Sequence, residues 1–509
     1  MVAVSILVIS GCNLKGDSTI YNPDVEKNET SGILEISKIV FTDTATVFYF
    51  DAYHCSKPEC WFSIAQRAAL QGSRQTYKII GCDGIELGKR MQVSESGHLA
   101  FALYFEPVDK SEKTLDFKEG DNAGDFCITG IKLFQAPKPT GAISCTLKGE
   151  IIDRPQSSRL MLMKEGEDPR IQKKTFIPIR DGKFEYVLHC DHEELYDLIF
   201  WDEYSKGEWG AIKFISEQGI INFTLHAIDQ NGMNTIEGGK LNREYLDCRN
   251  EILNKTRELE PSKSVDEKVK QQINKDGWIS VDTYPLYLQI LCEDSLYQDW
   301  LSWKLQYISE HPSIVGYNML VSETRKEMDK TSNISQYADV YQTIFAPNYP
   351  NHPYTAKMID IFTGSSLKVG IPFVDFTAVE MTGKPVRLSE RIAGKPAVLH
   401  LWASWCGPCR QKGKDLISVY EEFRNKGFVV IGVAREKTIS TAEVAIKMDK
   451  YPWENLVELN DAEQIWVKYG IGNSGGSVFL IDENGIIVIV SPSIEEIRNY
   501  LNNKYISVP

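Results

Sequence analysis

Leu401-Trp-Ala-Ser-Trp-Cys-Gly-Pro-Cys-Arg410 constrains this chain more than any other stretch. Before the two cysteines lies a short apolar run, Lys395-Pro-Ala-Val-Leu-His-Leu-Trp-Ala403, which reads as a buried strand. Behind them, residues from about 407 to 426 carry apolar side chains at helical spacing. Cys406 and Cys409 are therefore expected at a strand-to-helix turn. From Val369 onward strands and helices alternate, which predicts an α/β domain over 365–509. Phe428–Ala434 is expected as the next strand. Ser440-Thr-Ala-Glu443 reads as a capping box opening a helix. Asn460-Asp-Ala-Glu463 is expected to open another, which stops at Gly470. Ser477–Ile481 and Ile486–Val490 read as strands joined by the turn Asp482-Glu-Asn-Gly485, and Ser493-Ile-Glu-Glu496 as the cap of a final helix.

A Cys-x-x-Cys pair can be half of a zinc site, a static staple or a working dithiol. Zinc needs two further ligands, and this domain has no second cysteine pair and no histidine pair, so no metal is expected. A staple has no need of a strand-to-helix junction. The junction does serve a dithiol. A sulfur at a helix N-terminus faces unsatisfied backbone N–H groups and the positive end of the helix dipole. Cys406 is thus expected to have a lowered pKa and to attack disulfides, with Arg410 and Lys412 adding positive charge nearby. Cys409, one turn on, would resolve the mixed disulfide. Gly407-Pro408 keeps the turn tight enough for the sulfurs to bond. No cofactor is called for beyond the Cys406–Cys409 disulfide itself.

Trp402-Ala-Ser-Trp405-Cys-Gly-Pro-Cys409 resembles the active site of thioredoxin-fold proteins. The fuller resemblance is to the TlpA/ResA-like branch, the membrane-tethered thiol–disulfide oxidoreductases of the bacterial envelope. Gly370-Ile-Pro-Phe-Val-Asp-Phe376 with Val386-Arg-Leu-Ser389 resembles its entry strand, Ile439 to Leu459 its helical insertion, and Tyr469-Gly470 with Phe479-Leu-Ile-Asp-Glu-Asn-Gly485 its closing strands. The resemblance covers about 140 residues and implies an enzyme that exchanges thiols and disulfides with protein clients and draws electrons from a membrane partner. Two positions depart from the pattern. Relatives carry a cis-proline facing the dithiol, where this chain has Gly476 in Gly472-Asn-Ser-Gly-Gly-Ser477. Relatives often carry a buried acid six residues before the first cysteine, where this chain has His400. His400 either takes the proton from Cys409 or is a packed strand histidine bonded to a backbone carbonyl. Glu436 is a weaker proton-relay candidate, its alternative being a solvated charge. A peroxiredoxin is set aside, because the Pro and Thr/Ser of its Pro-x-x-x-Thr/Ser-x-x-Cys pattern fall on Leu399 and Ala403.

With 509 residues, of which 42% are hydrophobic, the chain has room for several domains. Residues 33–137 and 141–240 are rich in β-branched and aromatic runs and predict two β-sandwich-like domains, parted by Ala136-Pro-Lys-Pro-Thr-Gly141. An Asp181-Gly182 turn is expected inside the second. Residues 241–360 read as a helical connector that ends at Pro347-Asn-Tyr-Pro-Asn-His-Pro353. The front β-rich segments resemble the accessory domains of envelope lipoproteins. Net charge is −14, which argues against nucleic acid as a partner.

Met1–Cys12 is an apolar run ending in Ile9-Ser-Gly-Cys12, similar to a lipoprotein signal whose Cys12 is lipidated, with 13–32 as a tether. The alternative is a short buried strand. The lipid reading implies a membrane-anchored, periplasm-facing protein in an oxidising compartment. Of the eleven cysteines, Cys127 and Cys145 sit in apolar strand patterns and read as buried free thiols, while Cys55 and Cys60 are placed to close a loop in an oxidising compartment. A rival from another class is an envelope binding or scaffold lipoprotein whose dithiol is vestigial.

Overall fold

The computed structural model describes residues 19–21, 23–28, 30, 33–53, 61–92, 98–120, 125–133, 143–172, 174–207, 210–259, 267–268, 287, 289–290, 294–331, 334–473 and 475–506. The lipobox Cys12, the loop pair Cys55 and Cys60 with His54, Cys292, and the proline-rich break 136–141 lie outside the described residues.

The first β-rich segment, residues 33–137, supplies seven strands of one nine-stranded sheet. The other two, Thr19–Tyr21 and Lys27–Asn28, come from the stretch 13–32 expected as a tether, which pairing with Leu34–Phe41 and Cys127–Lys132 draws into the sheet. Its strand Thr76–Asp83 pairs first with Ala69–Gln71 and then, across a register shift between Ile79 and Gly81, with His98–Phe105. That irregularity lets the sheet fold over. Phe50 and Phe117 sit on strands four places apart, about 19 Å in a flat sheet at normal strand spacing. Their ring centroids are 5.1 Å apart. Phe48, Phe105 and Leu70 complete this aromatic core, all at 0% exposure. The Thr42-Asp-Thr44 segment joins the antiparallel strands Leu34–Phe41 and Thr46–Tyr53.

The second segment is two four-stranded sheets facing a common core of Cys145, Leu147, Leu162, Leu198, Phe214 and Ile221. Asp181 and Gly182 both have positive φ, the backbone that a tight hairpin turn demands. Cys145 is fully buried, and burial pushes its thiol up to about 11.

The helical segment does not stop at Pro353. Pro353 is the first residue of the helix Pro353–Ser366, a position where its missing N–H costs nothing, and the His352 side chain accepts the Tyr354 N–H. Nor are the helices a bare connector. They bury Tyr317, Leu320, Phe345 and Met358 together with Leu195 and Ile215 of the second β segment. The Tyr354 hydroxyl accepts the Leu195 N–H at 2.8 Å. Gly364 approaches the C-terminal domain so closely that a Cβ there would lie 2.1 Å from the Val467 carbonyl oxygen. No helix among the described residues is long and apolar enough to cross a membrane.

The C-terminal sheet has seven strands, in the order Pro385–Arg387, Thr377–Glu380, Glu454–Leu459, Val429–Glu436, Ala397–Trp402, Ser477–Ile481, Ile487–Val490. The three in the middle run parallel and the rest antiparallel. Ala397–Trp402 is buried at every residue, which is why its sequence is a continuous apolar run rather than an alternating one. Two helix starts differ from expectation. The cap of Ile439–Asp449 is Thr438, whose hydroxyl accepts the Thr441 N–H at 3.3 Å, so Ser440 lies inside the helix. Asn460, Asp461 and Gln464 take left-handed φ, so Asn460–Glu463 is a turn and the helix shrinks to Ile465–Lys468. Ser493 and Glu496 form the reciprocal box expected at the last helix.

Candidate active site

Cys406 is the N-cap of the helix Gly407–Phe423, and its Sγ accepts the Cys409 N–H at 3.3 Å. The Cys406 N–H itself donates to the Ala403 carbonyl, which turns the chain out of the strand. Cys406 and Cys409 are joined as a disulfide, with their Cα atoms 5.3 Å apart. Pro408 falls in the first turn, where no backbone partner is lost. Gly407 is not a steric requirement, since a Cβ there would meet nothing within 4 Å. The turn is kept tight by the cap itself.

Gly476 faces the pair from the neighbouring loop, and its N–H donates to Cys409 Sγ at 3.1 Å. Each sulfur therefore meets one backbone donor, an arrangement that favours the charged form of a thiol. A proline at 476 would have no N–H to give. There are no cis peptide bonds among the described residues. A Cβ on Gly476 would lie 1.9 Å from the Leu401 carbonyl oxygen, so the loop can come this near only as glycine.

His400 is 1% exposed and paired in register with Gly432 and Val478 on its flanking strands. Its Nε2 lies 3.1 Å from the Cys409 carbonyl oxygen. A carbonyl only accepts, so Nε2 carries the hydrogen. Nδ1 is buried and makes no hydrogen bond within the protein. Of the two expectations, the carbonyl-bonded strand histidine describes this contact, and the bond is to the backbone of Cys409 rather than its sulfur. Burial, with the Lys412 charge adding to it and the Cys409 carbonyl opposing, lowers the imidazole from 6.5 to about 4.

That depression has a sign. The unfolded histidine binds a proton near 6.5 and the folded one does so only near 4. The stabilisation is full above pH 6.5 and lost as pH falls toward 4, a difference on the order of 3 kcal/mol. In His400→Gln this contribution is absent. Denaturant unfolding from about pH 7 down to about pH 4.5 is expected to weaken the parent more steeply than the variant, and parallel curves would contradict it.

The two cations expected near the dithiol each have a partner. Arg410 is held by both oxygens of buried Asp449, at 2.6 and 2.9 Å, and Lys414 joins the same carboxylate. Lys412 donates to the Pro492 carbonyl. Arg410 also donates to the Ser404 carbonyl at 3.4 Å, two residues before Cys406. Glu436 is no solvated charge. It is 3% exposed, accepts the Ser404 N–H two residues before Cys406, and is raised above the usual carboxylate range by burial.

Trp405 is half-buried, 5.9 Å from Trp466. The Arg170 guanidinium, from the second β segment, lies 3.7 Å from the Trp405 ring centroid. Arg170 also donates to the Asn473 carbonyl at 2.8 Å, 303 residues away in sequence. Local pattern carries no signal for so distant a partner. Among the described residues no group of three or more His, Cys, Asp or Glu is placed to hold a metal.

Comparison with known proteins adds to this geometry. The solved thioredoxin domain of a thiol-disulfide oxidoreductase from Bacteroides vulgatus is 25% identical, covering 27% of this chain and 99% of that one at a TM-score of 0.25. ResA, the thiol-disulfide oxidoreductase of Bacillus thuringiensis (strain Al Hakam), is 26% identical over 140 residues, 26% of this chain and 78% of that protein. The ResA of Bacillus subtilis (strain 168) is 23% identical over 147 residues, 28% and 79% of the two chains. Residues 369–490 match the AhpC/TSA family. Residues 369–490 thus form an AhpC/TSA thioredoxin-fold domain similar to those of proteins named thiol–disulfide oxidoreductases, and the chain is an enzyme of that activity.

Proposed function

We propose that this chain reduces protein disulfides in the bacterial cell envelope, with Cys406 as the attacking sulfur and Cys409 as the resolving one. The observation that carries the reading is Cys406 Sγ at the helix N-cap with the Cys409 N–H pointing at it. In the reduced protein the Cys406 thiolate attacks one sulfur of a client disulfide. A mixed disulfide forms and the other client sulfur leaves as a thiolate. Cys409 gives up its proton to solvent or to that thiolate, and its sulfur attacks Cys406 Sγ. The Cys406–Cys409 bond closes, the second client sulfur is released, and two electrons have passed to the client.

Gly476 and His400 are positioning residues in this scheme. The Gly476 N–H supports a thiolate on Cys409 as it forms. His400 holds the Cys409 carbonyl and so the first turn of the helix. Glu436 fixes the Ser404 N–H and Trp405 forms part of the approach. An oxidised pair must be reduced again, which calls for a membrane electron donor. The Ile9-Ser-Gly-Cys12 run supports a lipid anchor through Cys12 and a periplasm-facing site. Insulin reduction with dithiothreitol as the electron source tests the reading. The parent is expected to be active and Cys406→Ala inactive; an inert parent would instead favour a binding protein with a vestigial dithiol.

A further inference from the structure

The second β segment touches the redox motif itself, and that contact suggests a role for it. Arg170 spans two borders of the dithiol. On one side its guanidinium lies on Trp405, the residue before Cys406. On the other it donates to the carbonyl of Asn473, two residues before Gly475. A Cβ on Gly475 would lie 3.8 Å from Cys406 Sγ, so this loop is at the sulfur. Cys406 is only 5% exposed.

The base of the Arg170 loop is buried and tied down, while the Arg170 side chain reaches solvent. Asp168 is 3% exposed and grips the Arg170 guanidinium with both oxygens, at 2.9 and 2.7 Å. Buried Arg435, itself paired with Asp461, lies 3.5 Å from the same carboxylate. Burial alone would raise Asp168, but the Arg170 hydrogen bonds and the two guanidinium charges outweigh it and hold the group ionised. Lys437 donates to the Pro169 carbonyl and Gln172 to the Asn460 carbonyl, two more ties to the C-terminal domain. The Arg170 side chain, by contrast, is 43% exposed. Beside it, a cleft of about 580 Å³ runs between Glu167–Arg170, Tyr204–Gly207 and Asn473.

We propose that Arg170 is a specificity-determining residue that makes the dithiol a composite site. It restricts protein clients to those offering a disulfide on an extended segment, whose flanking residues lie in this cleft. A compact protein disulfide must displace Arg170 from Trp405 and Asn473, whereas a small disulfide need not. This rests on the reductase reading above.

The test uses the full chain, pre-reduced, against glutathione disulfide and against folded insulin as separate oxidants. In Arg170→Ala the ratio of the insulin rate constant to the glutathione disulfide rate constant is expected to rise about fivefold, the factor that displacing a half-exposed cation–π contact is worth. Arg170→Lys, long and cationic enough to lie over Trp405, is expected to restore the parent ratio. Such a rescue would not follow from a general loosening of the fold. A ratio that stays level or falls in Arg170→Ala, with glutathione disulfide still turned over by the parent, overturns the filter alone. A parent that reacts with neither oxidant overturns the reductase reading and the filter with it.

Discussion

Cys406→Ala is expected to lower disulfide reduction at least about 10³-fold, because the nucleophile is gone and no other group stands at the helix N-cap. The free thiols at Cys145, Cys190 and Cys248 are poor replacements. Cys145 and Cys190 are disfavoured as thiolates by burial, and Cys248 likewise. Cys409→Ala is expected to fail differently. The first transfer still occurs, the resolving sulfur is missing, and client accumulates as a mixed disulfide on Cys406. Turnover assays paired with peptide mass mapping of the adduct check both. Residual turnover in Cys406→Ala, or an adduct on another cysteine, would remove Cys406 from the attacking role.

Gly476→Ala is expected to cost about 3 kcal/mol of stability, at the upper end for overpacking, because the clash is with backbone. The new Cβ would lie 1.9 Å from the Leu401 carbonyl oxygen and 3.2 Å from the Trp402 Cα. The central strand cannot give way without breaking its ladder to Ser477–Ile481. The loop must therefore move out, taking the N–H away from Cys409 Sγ, and turnover falls with stability. Gly475→Ala is the control. Its Cβ would make only an ordinary 3.8 Å contact with Cys406 Sγ, so its stability is expected to stay within about 0.5 kcal/mol of the parent. Chemical denaturation of the two variants separates them. Equal stabilities would mean that the loop does not pack as described.

The redox site could be read from the chain where its cause is local. A six-residue apolar run, a Cys-x-x-Cys pair and an amphipathic helix follow one another directly, so strand, turn and cap were foreseeable. The Ser493–Glu496 box was equally plain, because both partners lie within one turn. Reading failed where several local solutions compete. Thr438, Ser440 and Thr441 all suit a cap, and Thr438 is the one with extended backbone that accepts the Thr441 N–H. Asn460 and Asp461 tolerate left-handed backbone as readily as they start helices, and the turn won. Burial of His400 followed from its strand, but its hydrogen-bond partner did not. The partner of Arg410, Asp449, lies on a different helix and carries no local signal. The Arg170 contact with Trp405 joins segments that no periodicity connects.

Equilibrating the protein in defined thiol buffers gives the reduction potential of Cys406–Cys409, which decides between a reductase and an oxidant. The reductase reading calls for roughly −250 mV or below, the range of a dithiol that donates electrons to protein disulfides. A value near about −120 mV would make the pair an oxidant of envelope thiols and contradict it.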